Sequence, residues 1–291
     1  MVAYVCTIAG GKGGVGRTTT AINLGMLFQQ DGYDAVVVDA DLGMANISRM
    51  LELDPEQTIH DVLAEEATVS DALVTIDGGL TVCPGARELT AYANADASNL
   101  KAVIDELRED YDIIIIDTSA GLTHATTVPL GLADGVLLVT TSDHVAVYDA
   151  TKTAQLTDRV SGTVLGVLLT WVRDDATVTA THEDLDLPLL GAIPADDDVG
   201  NEPVVATAPS SPAATAYHEL VTSLTRVFFR GVDPADLDLA FDRSWLEGEE
   251  SKETEAGQED EDETVADTDT ADEDDDDDDD DGGNGVVGLF N

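Results

Sequence analysis

Short apolar runs of strand length alternate with segments of helical periodicity over most of the first 230 residues. Four consecutive isoleucines, Ile113–Ile116, favour a strand buried on both faces, as in parallel sheets covered by helices. The alternation predicts an α/β fold, with a doubly wound and mostly parallel sheet and helices on both faces. Helical patterns lie near residues 19–30, 58–64, 98–109, 144–160 and 213–230. The strand candidates are Tyr4–Ala9, Ala35–Asp39, Leu80–Val82, Ile113–Asp117, Gly135–Thr140, Val164–Thr170 and Leu189–Ile193.

Polar loops follow several of the predicted strands, at residues 10–18, 39–46, 117–124 and 140–144. The C-terminal ends of parallel strands lie at one edge of a sheet, and ligands of such folds bind beyond that edge. We therefore expect these four loops to gather into a single site.

The pattern changes after residue 231, where we expect the α/β domain of residues 1–231 to end. Residues 232–246 predict a short amphipathic helix, because Asp233 can cap its first turn. Its apolar face carries Leu237, Phe241 and Trp245. This helix either docks on the domain or offers a surface to a partner or a membrane.

The last part of the chain has a composition that does not favour a packed core. Residues 247–281 are almost entirely Glu, Asp, Thr, Gly and Ala, so we expect an acidic and disordered tail. Residues 282–291 are rich in glycine and also contain Val286, Val287, Leu289 and Phe290. This C-terminal end is either frayed or a short hydrophobic docking motif on a flexible tether.

The chain is strongly acidic, with 60 acidic and 13 basic residues and a formal net charge of −47. The segment Glu247–Asp281 holds 22 of these acidic residues and one lysine, so the rest still has 26 excess negative charges. Such a surface suits a halophile, because the Debye length at molar salt is only ~3 Å. The alternative explanation of the acidic surface is that it binds a basic partner. The charge disfavours nucleic-acid binding, which needs a basic surface.

A glycine-rich run, Gly10–Thr19, joins the first predicted strand to the first predicted helix. Successive backbone N–H groups of such a loop point at phosphates, and the helix N-terminus adds partial positive charge. The segment Gly11–Thr18 fits the phosphate-loop spacing G-x-x-x-x-G-K-[ST], with Arg17 at the lysine position. A second cation, Lys12, lies at the start of the loop. The run therefore predicts a phosphate-binding site.

Acidic and hydroxyl side chains at the predicted strand ends add a candidate magnesium site. Thr18 lies where a hydroxyl normally ligates Mg²⁺, and Asp117 ends the isoleucine strand, where a carboxylate can hold a Mg²⁺ water. Asp39 and Asp41 end the second strand at positions i and i+2, so both point toward the ligand edge. One of them could orient an attacking water, and the other could support Mg²⁺ or the loop.

Three of these segments together resemble the MinD/ParA family of ATPases, which have a deviant Walker A motif. They are Lys12–Thr20, Asp39–Asp41 and Ile116–Gly121, and the likeness is closer to MinD than to ParA. It covers about residues 1–230, where weaker matches occur at Thr140–Asp143, Gly191–Pro194 and Asn201–Val204.

The resemblance implies ATP and Mg²⁺ as cofactors and a homodimer in the ATP state. It implies that Lys12 reaches the partner's phosphates, that Asp41 positions the water and that Arg17 serves catalysis at the loop. Thr18 and Asp117, with Asp39, would serve Mg²⁺, and Arg173 and Pro194 would lie near the base. The nucleotide-binding loop would comprise Gly11, Lys12, Gly13, Gly14, Val15, Gly16, Arg17, Thr18 and Thr19.

The chain departs from the family pattern at several places. Arg17 replaces the loop lysine, which leaves open slow hydrolysis or nucleotide binding with little turnover. Trp171-Val172-Arg173 stands where relatives place an adenine-reading asparagine, and either Trp171 or Arg173 could stack on a base. The stretch of residues 196–200 is short and acidic, as if a family helix were trimmed. No Lys or Arg follows Lys252, so the basic membrane helix of MinD relatives is missing.

These observations favour a cytoplasmic ATPase that acts as a dimeric switch in spatial positioning, of the division site or of surface machinery. An unknown protein partner or activator is expected. Membrane contact at the inner face of the cell membrane would run through a partner. The alternatives are a nucleotide-binding scaffold with little or no hydrolysis and a ParA-like DNA partition ATPase, which the acidic surface disfavours.

Overall fold

The computed structural model describes residues 2–87, 89–121, 123–195 and 202–243, which all belong to one compact unit. The predictions for the acidic tail of residues 247–281, for the C-terminal end of residues 282–291 and for Trp245 fall outside these residues. So does the prediction of a trimmed helix at residues 196–200.

The predicted α/β sheet is confirmed. Its strands are β1 (Tyr4–Ala9), β2 (Ala35–Ala40), β3 (Val74–Thr75), β4 (Thr81–Cys83), β5 (Ile113–Thr118), β6 (Gly135–Thr140), β7 (Val164–Val172) and β8 (Leu189–Pro194). Their order across the sheet is β3-β4-β2-β5-β1-β6-β7-β8. Neighbouring strands are parallel except β3 and β4, which pair antiparallel. The sequence pattern missed β3, which has only two residues and no periodicity to detect.

Helices connect the strands of the sheet. They are α1 (Arg17–Gln30), α2 (Ile47–Met50), α3 (Ile59–Leu63), α4 (Leu89–Asn94), α5 (Leu100–Asp110), α6 (His124–Leu132), α7 (His144–Arg159), α8 (Asp175–Asp184), α9 (Val204–Thr207) and α10 (Pro212–Arg230). The pattern predicted α1, α3, α5, α7 and α10. It missed α6, which contains Pro129, and α8, which is rich in Asp and Thr with a weak apolar stripe.

The isoleucines of β5 show why the sheet is covered on both faces. Ile113 and Ile115 belong to a buried cluster with side chains of α1 and α10. Ile114 and Ile116 point the other way, into a buried cluster with side chains of α3 and α5. Alternate residues of a strand face opposite sides of the sheet, so this run is buried only if both faces are covered.

The segment after α10 packs on the domain without forming the predicted helix. Residues Pro234–Leu237 form a single 3₁₀ turn, and Leu239 has a left-handed backbone with φ of 52° that ends it. The backbone N–H of Leu239 instead donates to the carbonyl of Leu189 in β8 at 2.9 Å. The prediction of a continuous helix is therefore wrong over its described part, up to residue 243. Residues beyond 231, where we expected the domain to end, therefore also pack on the domain.

Leu237 and Phe241 nevertheless dock on the domain, the first of the two alternatives for this segment. Leu237 is 2% exposed and lies in the cluster of α1 and α10, whereas Phe241 packs on the cluster that includes β7 and β8. None of the helices in the described part of the chain has the length and apolarity that crossing a membrane requires.

We expect Leu237→Ala to lower the free energy of unfolding by about 2–4 kcal/mol, because it leaves a cavity in a closed core. The exposed neighbour Asp236 provides the matched control, and Asp236→Ala should change stability by less than about 0.5 kcal/mol. Denaturant unfolding of the two variants measures the difference. Equal stability of both variants would show that this turn does not hold to the core.

Candidate functional site

The glycine-rich loop of residues 10–16 passes from β1 to α1 at the predicted edge of the sheet. A Cβ on Gly11 would lie 2.5 Å from the carbonyl carbon of Asp149 in α7, so only glycine allows this approach. Gly16 takes the left-handed conformation with φ of 89° and leads into α1, whose N-terminus has no side-chain cap. The N–H groups at the start of α1 are thus available to an anion, as in other helix-terminal phosphate sites.

Thr170 fixes this loop from the opposite side. Its Oγ1 lies 2.9 Å from the carbonyl oxygen of Val15 and 3.0 Å from that of Thr140, so one hydroxyl joins the loop to the ends of β6 and β7. Val15 itself is buried in the core. The loop is therefore anchored at its middle as well as at both ends.

Arg17 lies inside the loop rather than on the surface. Its side chain is buried, and Nη1 donates to the carbonyl oxygen of Gly10 at 3.2 Å. Burial lowers the pKa of Arg17, while the charges of Asp117 and Asp41 act in the opposite direction. The guanidinium is therefore held to the loop by a hydrogen bond and lies within electrostatic range of the carboxylates of Asp41 and Asp117.

Asp39 and Asp41 take different roles in the loop after β2. Asp39 uses both oxygens to hold the loop: Oδ1 accepts from the N–H of Asp41, and Oδ2 accepts from the N–H groups of Asn46 and Ile47, at 3.1–3.2 Å. Asp41 accepts from the N–H of Met44 with Oδ1. Of the two roles expected for Asp39, the geometry therefore favours support of the loop over contact with a metal.

Asp117 and Thr18 form the centre of the candidate metal site. The Oγ1 of Thr18 donates to Oδ2 of Asp117 at 2.6 Å. The other oxygen, Oδ1 of Asp117, is buried and has no hydrogen-bond partner among the described residues. A buried carboxylate oxygen without a partner is costly, and a hard cation with its water shell would satisfy it.

The neighbouring carboxylates make the ionised form of Asp117 still less favourable. Asp39 and Asp117 face each other in the register of β2 and β5. Burial, followed by the charge of Asp39, raises the pKa of Asp117 to about 8. Burial and the charge of Asp41 raise the pKa of Asp39 to about 7, against the hydrogen bonds from its loop. A divalent cation would favour the ionised forms of both groups.

The residues fit a magnesium site that is completed by a ligand. Within the described residues, no group of three or more His, Cys, Asp and Glu side chains could hold a metal ion by itself. Mg²⁺ usually keeps several waters and binds through one or two carboxylates together with phosphates. The carboxylate of Asp117 and the hydroxyl of Thr18, which lie beside the phosphate loop, match this mode of Mg²⁺ binding.

Lys12 lies at the rim of the loop. Its Nζ pairs with Oδ1 of Asp143 at 3.1 Å, and both side chains are about half exposed. Asp143 also caps α7 by accepting from the N–H groups of Val145 and Ala146. The hydrogen bond from Lys12, followed by that from Ala146, lowers the pKa of Asp143. Lys12 therefore points along the surface instead of into its own loop.

A cavity of about 120 Å³ lies beside the loop, at the ends of β7 and β8. Trp171, which has a φ of 58° and a half-exposed side chain, forms part of its wall, as does the predicted Pro194. Arg173 is exposed and is not among the residues that line the cavity. Of the two candidates for stacking on a base, the geometry favours Trp171.

The sequence analysis missed a buried polar network that joins α1 to α9. Nδ2 of Asn23 donates to Oε2 of Glu202 and to the carbonyl of Thr19, both at 2.8 Å. Its Oδ1 accepts from the N–H of Val205 at 3.0 Å. Glu202 also lines the cavity, and burial raises its pKa. The sequence offers two signals for this network: an asparagine within the apolar pattern of α1, and the weak family match at Asn201–Val204.

We expect the metal-free protein to lose stability as the pH rises through about 7–8. Asp39 and Asp117 have raised pKa values, so the folded chain keeps protons that the unfolded chain releases, and the free energy of unfolding falls. Asp117→Asn cannot ionise, so its loss between pH 6 and pH 9 should be smaller by at least roughly 1 kcal/mol, or about 2–4 °C in Tm.

Thermal unfolding in EDTA at several pH values measures this difference between wild type and variant. Asp77→Asn, at an exposed position, serves as the control and should follow the wild type. The same pH slope in Asp117→Asn and wild type would contradict the assignment of the titration to this site.

Comparisons with known proteins agree with this geometry. Residues 3–165 match the family described as AAA domain. An uncharacterized ATP-binding protein of Methanocaldococcus jannaschii is 31% identical over 233 residues, covering 77% of this chain and 88% of that protein.

Two solved structures share the fold over almost their whole length. The cell division ATPase MinD of Pyrococcus furiosus is 32% identical with a TM-score of 0.73, covering 77% of this chain and 99% of that one. The septum site-determining protein MinD of Pyrococcus horikoshii, solved in complex with Mg-ADP, is 29% identical with a TM-score of 0.73, covering 79% and 99%. The loop, the acidic strand ends and these similarities lead to one conclusion: the chain belongs to the MinD/ParA family of P-loop ATPases.

Proposed function

We propose that this protein is a Mg²⁺-dependent ATPase whose ATP form is a homodimeric switch for positioning other machinery in the cell. The observation that carries the proposal is the unpartnered Oδ1 of Asp117 beside Thr18, next to the uncapped start of α1. These features provide for a cation and an anion at adjacent positions. The MinD names and the Mg-ADP of the solved relatives support the same nucleotide and metal for this chain.

Each part of the reaction has a residue suited to it. The N–H groups of the loop and of the first turn of α1 hold the phosphates, and Arg17 neutralises charge on their oxygens. Thr18 and Asp117 would hold Mg²⁺, which would supply neutralisation of the phosphate charge. Asp41, fixed beside the loop, orients the attacking water.

The dimer gives Lys12 its function. Lys12 is about half exposed, and its ion pair with Asp143 also lies at the protein surface. Its side chain can therefore leave this pair and move outward. In the ATP-bound dimer it leaves this pair and contacts the phosphates of the partner, as an arginine finger does. The ATP state is thereby coupled to assembly, and hydrolysis releases the two chains.

A nucleotide-binding scaffold is the second candidate, and the position of Arg17 favours it. The guanidinium already donates to Gly10 and lies close enough to Asp41 and Asp117 for their charges to act on it. A planar cation held in this way binds phosphate oxygens but places them differently from a lysine ammonium. The protein would then hold nucleotide and a partner with little turnover.

The proposal also includes where the protein acts in the cell. We place the protein in the cytoplasm, brought to the inner face of the membrane by a protein partner or activator. A role in DNA partition, as in ParA, is the less favoured alternative, because the folded part carries excess negative charge.

We expect Lys12→Ala and Asp41→Ala each to lower ATP turnover by at least about 100-fold, since they remove the cross-dimer cation and the group that orients water. Lys12→Ala should also abolish the ATP-dependent increase in mass. Turnover and light scattering with Mg²⁺ in molar KCl, which screens the acidic surface, measure both effects. Lys101→Ala, on the exposed face of α5, is the matched control and should behave as wild type.

Arg17→Lys separates the two candidate functions in the same assay. If the wild type hydrolyses ATP and Asp41→Ala abolishes this turnover, the result supports the ATPase. Nucleotide binding without turnover, with turnover gained in Arg17→Lys, identifies the scaffold. A chain that stays monomeric at every ATP concentration would refute the dimeric switch.

We expect the fluorescence of Trp171 to shift to shorter wavelength when Mg-ATP binds, because a base in the neighbouring cavity covers the half-exposed indole. The variant Trp245→Phe leaves Trp171 as the single tryptophan of the chain. A titration of this variant with Mg-ATP follows the emission spectrum. Unchanged emission at saturating nucleotide would exclude Trp171 from the base site.

A further inference from the structure

A buried histidine joins the loop of Asp41 to a neighbouring loop. His60 is the second residue of α3 and is 1% exposed. Its Nδ1 accepts from the backbone N–H of Ala86 at 3.0 Å, and its Nε2 lies 2.9 Å from the carbonyl oxygen of Leu42. An amide N–H only donates and a carbonyl oxygen only accepts, so Nδ1 is unprotonated and Nε2 carries the proton. The ring is therefore neutral, and both nitrogens are occupied.

The contact to Leu42 reaches the residue directly after Asp41. The other side-chain hydrogen bonds of this loop come from Asp39, Asp41 and Asn46. They fold the loop upon itself and tie it to the end of β2, and the side chain of Leu42 is buried in the core. The Nε2–H of His60 supplies an attachment from a separate element, α3.

The helix that carries His60 is itself held in place. The N–H of Ile59 donates to the carbonyl of Pro84 at 2.9 Å, and the N–H of Thr58 donates to Asp61 at 2.7 Å. The loop after β4, which carries Ala86, is also closely packed, against the loop that carries Asp41. A Cβ on Gly85 would lie 2.4 Å from Cβ of Ala45. His60 thus acts from a rigid support, which a side chain needs if it is to fix another group precisely.

We propose that His60 is a positioning residue for ATP hydrolysis: its Nε2–H fixes the Leu42 carbonyl and thereby holds Asp41 where its carboxylate orients the attacking water. This inference rests on the proposed role of Asp41. His60 takes no part in the chemistry, because both of its nitrogens are bonded to backbone groups. No pattern along the chain indicates this role, since the five histidines are scattered without metal-ligand spacing.

Two amide substitutions separate the two bonds of His60. In His60→Gln the amide nitrogen can reach the position of Nε2 and donate to Leu42, while the bond from Ala86 is lost. In His60→Asn the amide oxygen can take the place of Nδ1 and accept from Ala86, while the bond to Leu42 is lost. Both variants bury one uncharged amide, so they form a matched pair.

We expect kcat to fall about tenfold in His60→Asn, the effect of one hydrogen bond of ordinary strength, with the KM for ATP within about twofold. His60→Gln should keep kcat within about threefold of wild type. Equal losses of kcat in both variants, together with equal falls in Tm, would reduce His60 to a structural role and overturn the proposal. If His60→Asn does not fold, His60→Met replaces it, because methionine fills the space and donates no hydrogen bond.

Hydrogen exchange of the nucleotide-free protein tests the loop without using turnover. The amides of residues 41–47 should exchange about tenfold faster in His60→Asn than in His60→Gln or wild type. If the wild type binds ATP without hydrolysing it, the proposed ATPase fails, while faster exchange still establishes that His60 holds the loop. Unchanged exchange in His60→Asn overturns the inference whatever the turnover.

Discussion

Two buried carboxylates side by side at one edge of the sheet are the constraint on which the rest of the site depends. Asp39 and Asp117 are neighbours in register on β2 and β5, and burial raises the pKa of both groups well above its usual range. Asp39 is compensated by backbone N–H groups, whereas Asp117 keeps one oxygen without a partner. The fold therefore disfavours ionisation of both acids, and a divalent cation would favour their ionised forms.

The elements around this pair fix its surroundings. β1 delivers the glycine-rich loop on one side, and Arg17 places its cation between that loop and the acids. On the other side, Asp39 folds the loop that carries Asp41, and His60 attaches that loop to α3. The proposed role of Asp41 needs such rigid supports, because small displacements of a group that orients an attacking water are costly for the rate.

The sequence allowed the parts of the fold that depend on local patterns to be predicted. Ile113–Ile116 indicated a strand covered on both faces, and the glycine spacing located the loop and the start of α1. The spacing of Leu237 and Phe241 predicts a helix, and yet Leu237 docks from a 3₁₀ turn and Phe241 from the irregular segment after it, because a backbone bond to β8 replaces the next helical turn. Apolar spacing alone does not distinguish these two arrangements.

The contacts that tune the site could not be predicted, because they join residues far apart in the chain. Asn23 meets Glu202 across 179 positions, and Thr170 meets Val15 across 155. No sequence motif spans such distances, so neither contact can be recognised from the sequence. The exposure of Arg173 likewise depends on how β7 ends, at a register irregularity between Leu169 and Val172.

The most direct test of the central claim is the affinity for ADP with and without Mg²⁺, measured by calorimetry on the wild type and on Thr18→Ala. Thr18 is the residue proposed to supply a hydroxyl to the metal site, and it carries none of the buried charges. We expect Mg²⁺ to tighten ADP binding to the wild type and most of this gain to be lost in Thr18→Ala, while metal-free binding stays the same. An equal gain from Mg²⁺ in both proteins, or no ADP binding to the wild type, would contradict it.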